Sequence, residues 1–169
     1  HANYLDVCDG ARGDDAAPLV LTLIGLPLGF EEQAADLFPT PEVPKKPVPT
    51  GKVKEGQAPL YERDGQGKVV LAEDKNDPEY RAAAKASARG SVAFYVYHGL
   101  KADPQVKFDT DTTKVGKAFY LGVWDEMESV GFSSGDVIQI FQKVMELSNF
   151  DKAKIEKARL DFLSLEQTQ

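Results

Sequence analysis

Between Val106 and Gly116 the chain reads VKFDTDTTKVG, which places Asp109, Asp111 and Thr113 at alternate positions. A carboxylate, a spacer and a second carboxylate is the arrangement with which one class of phosphatases presents a nucleophile and an acid to a phosphoryl group. That chemistry requires the pair to end a buried apolar strand in a doubly wound sheet, where a metal and backbone donors activate the nucleophile. The residues ahead of it, Asp103, Pro104, Gln105, Val106, Lys107 and Phe108, are too polar for a central strand, and no alternation of strands and helices surrounds them. The expectation is instead that Asp111 or Thr112 caps a helix. Acids near a helix N-terminus are favoured by the helix dipole by roughly 0.3 to 1 kcal/mol.

Other fragments with chemical potential yield to simpler readings. Asp64 to Lys68, DGQGK, has the glycines and lysine of a phosphate cradle, but Asp64 is anionic and no helix starts after Lys68, so a hairpin turn is expected. His98 is the only histidine besides His1 and falls near a helix end, where a hydrogen-bonding imidazole suffices. Cys8 is the single cysteine, so one chain can form neither a disulfide nor a cysteine-based zinc site. Arg12, Gly13 and Asp14 spell an adhesion tripeptide that is expected by chance. No catalytic residue, metal ligand or cofactor site is nominated, and a protein that is not an enzyme is expected.

The chain has 169 residues, 42% of them apolar and 28% charged, enough apolar material for one domain with tails and too much for wholesale disorder. A net charge of -7 argues against a phosphate-backbone binder, so nucleic acid is not an expected partner. The longest apolar run, Leu19 to Leu28, is broken by Thr22, Gly25 and Pro27 and is about half of the roughly 20 residues a membrane helix needs. With no export signal evident, a cytoplasmic protein without a membrane span is expected.

Residues 1–38 read as an N-terminal lead, with a short strand at NYLDV, a strand in LVLTLIG and a short helix carrying Phe30, Ala34 and Leu37 on one side. Residues 39–76 hold six prolines between Pro39 and Pro59, predicting an extended arm, followed by a hairpin turning at Asp64 to Gly67. From Asp77 to the end the period becomes 3.6, predicting a helical domain over 77–169. Asp77 with Pro78 starts its first helix. The second is expected to turn inward Val115, Ala118, Phe119, Gly122, Val123, Met127 and Val130. Ser133 and Asp136 open the third, with Val137, Ile140, Phe141, Val144 and Leu147 on its inner face. Asn149 or Asp151 caps the fourth, with Ile155, Ala158, Phe162 and Leu165 in register. The fold class is mainly α, an α+β chain whose small β-leaning, proline-rich front precedes a bundle of about four helices.

The second helix is apolar on more than one face, because Tyr120 and Trp124 extend beside Phe119 and Val123. Such a helix is either central or an interface, so Tyr120, Trp124, Phe132, Phe162 and Leu165 are the candidate partner contacts.

The order of FPTPEVPKKPVP, the stretch LYERDGQGKVVLAEDKNDPEYRAAAKASARGSVAFYVYHGL, the VKFDTD loop and EMESVGFSSGDVIQIFQKVMELSNF resembles tail assembly chaperones of long-tailed, siphovirus-like bacteriophages or prophages, over residues 38 to 150. The resemblance implies a small helical protein in the cytoplasm of a bacterial host, absent from the mature virion. Such a chaperone binds the aggregation-prone tape measure protein before the tail tube closes around it. A frameshifted longer form would recruit tail tube protein, and self-association is compatible with the role. Residues 2 to 38 have no clear counterpart in that pattern. The competing reading is a structural tail completion or connector protein of the phage particle.

Overall fold

The computed structural model describes residues 3–7, 19–51 and 58–166. Cys8 and the Arg12 to Asp14 tripeptide lie outside them. The chain is mainly α, with five helices and two small antiparallel sheets among the described residues. Its elements are β1 (Asn3–Val7), β2 (Leu19–Leu23), α1 (Phe30–Leu37), β3 (Lys45–Pro47), β4 (Leu71–Glu73), α2 (Pro78–Leu100), α3 (Lys117–Ser129), α4 (Ser134–Leu147) and α5 (Lys152–Glu166). They form two compact units, one from residues 1–40 and 85–169, the other from 41–84. The expected divisions at 38 and 76 are therefore redrawn. Residues 19–38 belong with the helices, because Leu21, Leu23, Leu26, Ala34 and Phe38 are part of the same buried core as Val96, Trp124 and Ile140.

In the larger unit β1 pairs with β2 with Leu5 opposite Leu21. Beyond this pairing the chain from Thr22 to Leu26 is pinned by alternate amides. Thr22 N–H donates to the Asp103 carboxylate at 2.5 Å, Ile24 N–H to the Gly99 carbonyl at 3.0 Å, and Leu26 N–H to Ser148 Oγ at 2.8 Å. Asp103 is buried, and Gln105 N–H is its second donor, which compensates the burial of a charge. Small residues let these segments touch. A Cβ built on Gly99 would lie 2.2 Å from Val144, and one on Gly90 would lie 2.1 Å from the Phe38 ring.

Local signals fix the helix ends. Asp77 accepts from the amides of Glu79 and Tyr80, with Pro78 at the first helical position, as expected for α2. Ser133 and Asp136 make the reciprocal capping box that opens α4, and Val137, Ile140, Phe141 and Val144 are buried. Asp151 caps α5 by accepting from Ala153 N–H at 2.7 Å. Helices α3 and α4 both end with a left-handed residue after the cap. Gly131 (φ 96°) and Asn149 (φ 59°) take that role, and Phe132 N–H and Phe150 N–H reach back to the Met127 and Met145 carbonyls at 3.1 Å.

One helix expectation fails and a second holds in part. Neither Asp111 nor Thr112 caps α3, which begins at Lys117 after Gly116 (φ 57°) without a side-chain cap. Asp111 closes a local turn instead, accepting from the Thr113 amide and hydroxyl at 2.9 and 2.7 Å. The inner face of α3 is borne out in part: Val123 and Met127 are buried as expected, but Trp124 is buried with them, Ala118 is exposed, and Val115 and Val130, outside the helix, are 80% and 60% exposed.

In the smaller unit the proline-rich segment is not a free arm but a sheet strand. β3 pairs with β4, Lys45 opposite Glu73 and Pro47 opposite Leu71, and Pro49 bridges Tyr61 while Arg63 bridges Val69. All three extended segments meet at one level. Val48 N–H donates to Val70 O, Val70 N–H to Glu62 O and Glu62 N–H to Val48 O, at 3.0, 2.9 and 2.8 Å. The expected turn at Asp64 to Gly67 is present, with Asp64 Oδ1 accepting from the Gln66 and Lys68 amides. Among its described residues up to Ala83 none is buried. This unit carries eight Lys or Arg and eight Asp or Glu, so the net charge of -7 belongs to the residues of the larger unit.

Candidate partner-binding surface

The Asp109 and Asp111 pair lies in a shallow polar depression of about 370 Å³ lined also by Thr110, Lys114, Asp125 and Glu126. Its hydrogen bonds are structural. Glu126 accepts from the Asp109 amide at 2.7 Å and from the Thr110 hydroxyl, which fastens the loop to α3. The hydrogen bonds from Thr113 hold the Asp111 carboxyl below its ordinary value. Neither aspartate sits on a strand, and among the described residues no group of three or more His, Cys, Asp or Glu could hold a metal ion. The arrangement lacks the buried strand end on which a phosphoryl-transfer reading depends.

Tyr120 is half-buried, and its hydroxyl lies 3.0 Å from His98 Nε2. Rings surround the imidazole: Phe94 at 4.8 Å, Phe30 at 5.0 Å edge-on and Tyr97 at 5.1 Å edge-on. Burial in this aromatic nest, and to a lesser extent Lys101, depress the His98 pKa, while burial raises that of Tyr120. The neutral imidazole is the form the fold prefers. The unfolded chain, with a histidine pKa of about 6.5, then binds a proton that the folded chain resists. Stability is expected to be full above that pH and to decline as pH falls through it, levelling off below the folded value. Urea titrations between pH 7.5 and 5.5 check this, since His98→Gln is expected to flatten the slope; an unchanged slope in that variant would assign it elsewhere.

Trp124 and Phe162 are core residues, 1% and 2% exposed, with ring centroids 5.4 Å apart. They are thus packing partners of each other and not surface contacts, a correction to the expectation from sequence. The Arg89 guanidinium lies over the indole ring at 5.0 Å and forms a two-pronged ion pair with Glu166 at 2.7 and 2.8 Å. Lys85 joins Glu166 at 3.3 Å and Glu128 joins Arg89 at 3.2 Å. The Arg89 hydrogen bonds hold the Glu166 carboxyl below its usual range, and Glu166 raises Arg89 in return. Leu165, next to this cluster in sequence, is half-buried. Phe132, also half-buried, packs against the core as the apolar residue that follows the α3 stop signal.

The apolar surface lies elsewhere. In the larger unit Val20, Ile24 and Leu28 are exposed, Leu28 fully, as are Val115, Val130 and Leu160; in the smaller unit Leu60, Tyr61 and Leu71 are exposed. The signal for the first group was present in the sequence, since Val20 and Ile24 alternate with the buried Leu21 and Leu23. The strand was recognised there, but which of its faces would be covered was not. Compared with known proteins, the chain matches no family model, no curated protein and no solved structure. Among the described residues no helix is long and apolar enough to cross a membrane.

Proposed function

We propose that this chain is a tail assembly chaperone of a long-tailed bacteriophage, which binds and keeps in solution the tape measure protein and acts without catalysis. The sequence resemblance over residues 38 to 150 suggests the family. The observation that carries the reading is the exposed apolar set Val20, Ile24 and Leu28 on a unit bearing the entire net charge of -7. Exposed apolar side chains can cover part of a helical stripe of a client, while the net negative charge of the unit opposes aggregation of the complex. Recruitment of tail tube protein would fall to a longer translational product.

The test is co-expression with the long coiled-coil-rich protein encoded downstream, followed by capture through a tag on this chain. The partner is expected to be soluble only when co-expressed and to be recovered. Val20→Asp with Leu28→Asp is expected to reduce recovery at least tenfold, about 1.4 kcal/mol, with unchanged circular dichroism. A partner that is soluble alone and escapes capture would remove the proposal.

The second reading, a structural tail completion or connector protein, is favoured by the smaller unit, whose described residues 41–51 and 58–83 include no buried side chain. A sheet with so little core gains most from being packed between subunits. Light scattering separates the two, because a ring of fixed large mass belongs to the connector.

A further inference from the structure

The connection between α4 and α5 differs from the others in the helical unit. The loop from α2 to α3 contains Pro104 and Gly116, and the turn from α3 to α4 contains Gly131, but from Asp136 to Glu166 there is neither glycine nor proline. What separates α4 from α5 is Asn149, the one described non-glycine residue with positive φ, at 59°. The helix break thus rests on a backbone conformation that an L side chain disfavours, although asparagine tolerates it better than most.

The sequence across the break is also in phase. Phe141, Val144, Ser148, Asp151, Ile155, Ala158, Phe162 and Leu165 follow one another at alternating steps of three and four, the seam of a single continuous helix. Of these, Phe141, Val144, Ile155 and Phe162 are buried in the bent form. Ser148 Oγ already donates to the Val144 carbonyl at 2.6 Å, one turn back, as it would inside a longer helix. Helix α5 is fastened to the rest by the buried Ile155, by Phe162 against Trp124, by the half-buried Ala158 and Leu163, by Lys154 against Glu31 at 3.1 Å, and by Glu166 against Arg89 and Lys85. Each of these contacts can be made equally well by the α5 of another copy.

We propose that α4 and α5 straighten into one helix and that two copies of this chain exchange α5, each placing Phe162 on the partner copy's Trp124 and Glu166 on its Arg89. The change is confined to the hinge. There the amides of Ser148, Asn149 and Phe150 already donate to α4 carbonyls and would exchange those partners for regular helical ones, while the Asp151 cap and the packing of Phe150 on Tyr95 are given up. The contacts of α5 are re-formed between chains.

Full-length Asn149→Ala and Asn149→Gly chains test this by light scattering across a concentration series. Alanine disfavours the left-handed turn and favours helix, whereas glycine does the reverse. About tenfold per hinge is expected from that preference, and about a hundredfold in the dimer dissociation constant for two hinges, tighter for alanine. Equal masses for the two variants at every concentration would overturn the proposal. A second measurement identifies the exchanged segment. Arg89→Glu and Glu166→Arg chains, denatured together and refolded, are expected to form a one-to-one heterodimer, because each notch then meets a complementary helix only in the other chain. Two separate monomer populations would overturn it. Should either charge variant fail to fold, the Asn149 pair still decides. The outcome is independent of whether a tape measure protein is bound.

Discussion

Trp124→Ala is expected to lower the unfolding free energy by about 3–5 kcal/mol, the loss typical of a large buried aromatic. The indole is 1% exposed, with the Phe162 ring and the Arg89 guanidinium packed against it at 5.4 and 5.0 Å. Truncation leaves a cavity that the surrounding helices close only in part. It also strips Arg89 of its aromatic contact while leaving its ion pair with Glu166. Since Trp124 is the only tryptophan, tryptophan fluorescence disappears with it, and denaturation is followed by far-ultraviolet circular dichroism. Trp124→Phe supplies a control. Among the described residues the indole N–H has no hydrogen-bond partner, so phenylalanine removes a donor without orphaning an acceptor and is expected to cost well under half as much. A loss below about 1 kcal/mol for the alanine variant, the range of surface substitutions and small trims, would mean that Trp124 is not buried in solution.

Gly25→Ala is expected to cost about 3 kcal/mol, the upper range for forcing added atoms into a packed interior. A Cβ at this position would lie 2.3 Å from the carbonyl oxygen of Leu147 and 2.7 Å from its carbon. Both are backbone atoms, so no side chain can rotate out of the way. Either the segment after β2 or the end of α4 must move. The hydrogen bonds from Ile24 to Gly99 and from Leu26 to Ser148 flank the contact and resist that movement. Thermal unfolding should show a midpoint lowered by about 6–12 °C. Gly65→Ala is the matching control, because a Cβ there meets nothing within 4 Å, and a change within about 0.5 kcal/mol is expected. A small effect at Gly25 would imply that the segment after β2 lies off the end of α4.

Helix α4 was legible because its signals are short-range. The Ser133 and Asp136 box and the 3.6-residue spacing of Val137, Ile140, Phe141 and Val144 lie within a dozen positions of one another. The same holds for Asp77 with Pro78, and for the turn at Asp64. The inner face of α3 was legible only in part because the helix offers two apolar stripes: Val123 and Met127 are buried as their spacing predicts, and Trp124 from the second stripe is buried with them. Periodicity alone does not show that Val123 and Trp124 are both covered, since the cover on Trp124 comes from Arg89 and Phe162, which approach from far along the chain. Pairing of the proline-rich strand was hidden for a related reason, since Lys45 meets Glu73 across a long excursion that no local pattern announces. As for the candidate contacts, Trp124 and Phe162 were singled out by residue type, and aromatic residues are enriched in both interfaces and cores. Their burial depends on tertiary packing that composition does not encode.

The unequal division of charge between the two units has a consequence for how copies of this chain meet in solution. Residues 41–84 are electroneutral, and the remainder holds the whole excess of acid. At low ionic strength, where the Debye length is about 30 Å at 0.01 M, like-charged helical units repel over distances comparable to their own size, and at 0.15 M that range falls to about 8 Å. Contact through the helices, exchange of α5 included, should therefore tighten as salt is added. Contact through the neutral sheet should be nearly indifferent to it. Background electrolyte thus becomes a simple reporter of which face of the protein is engaged.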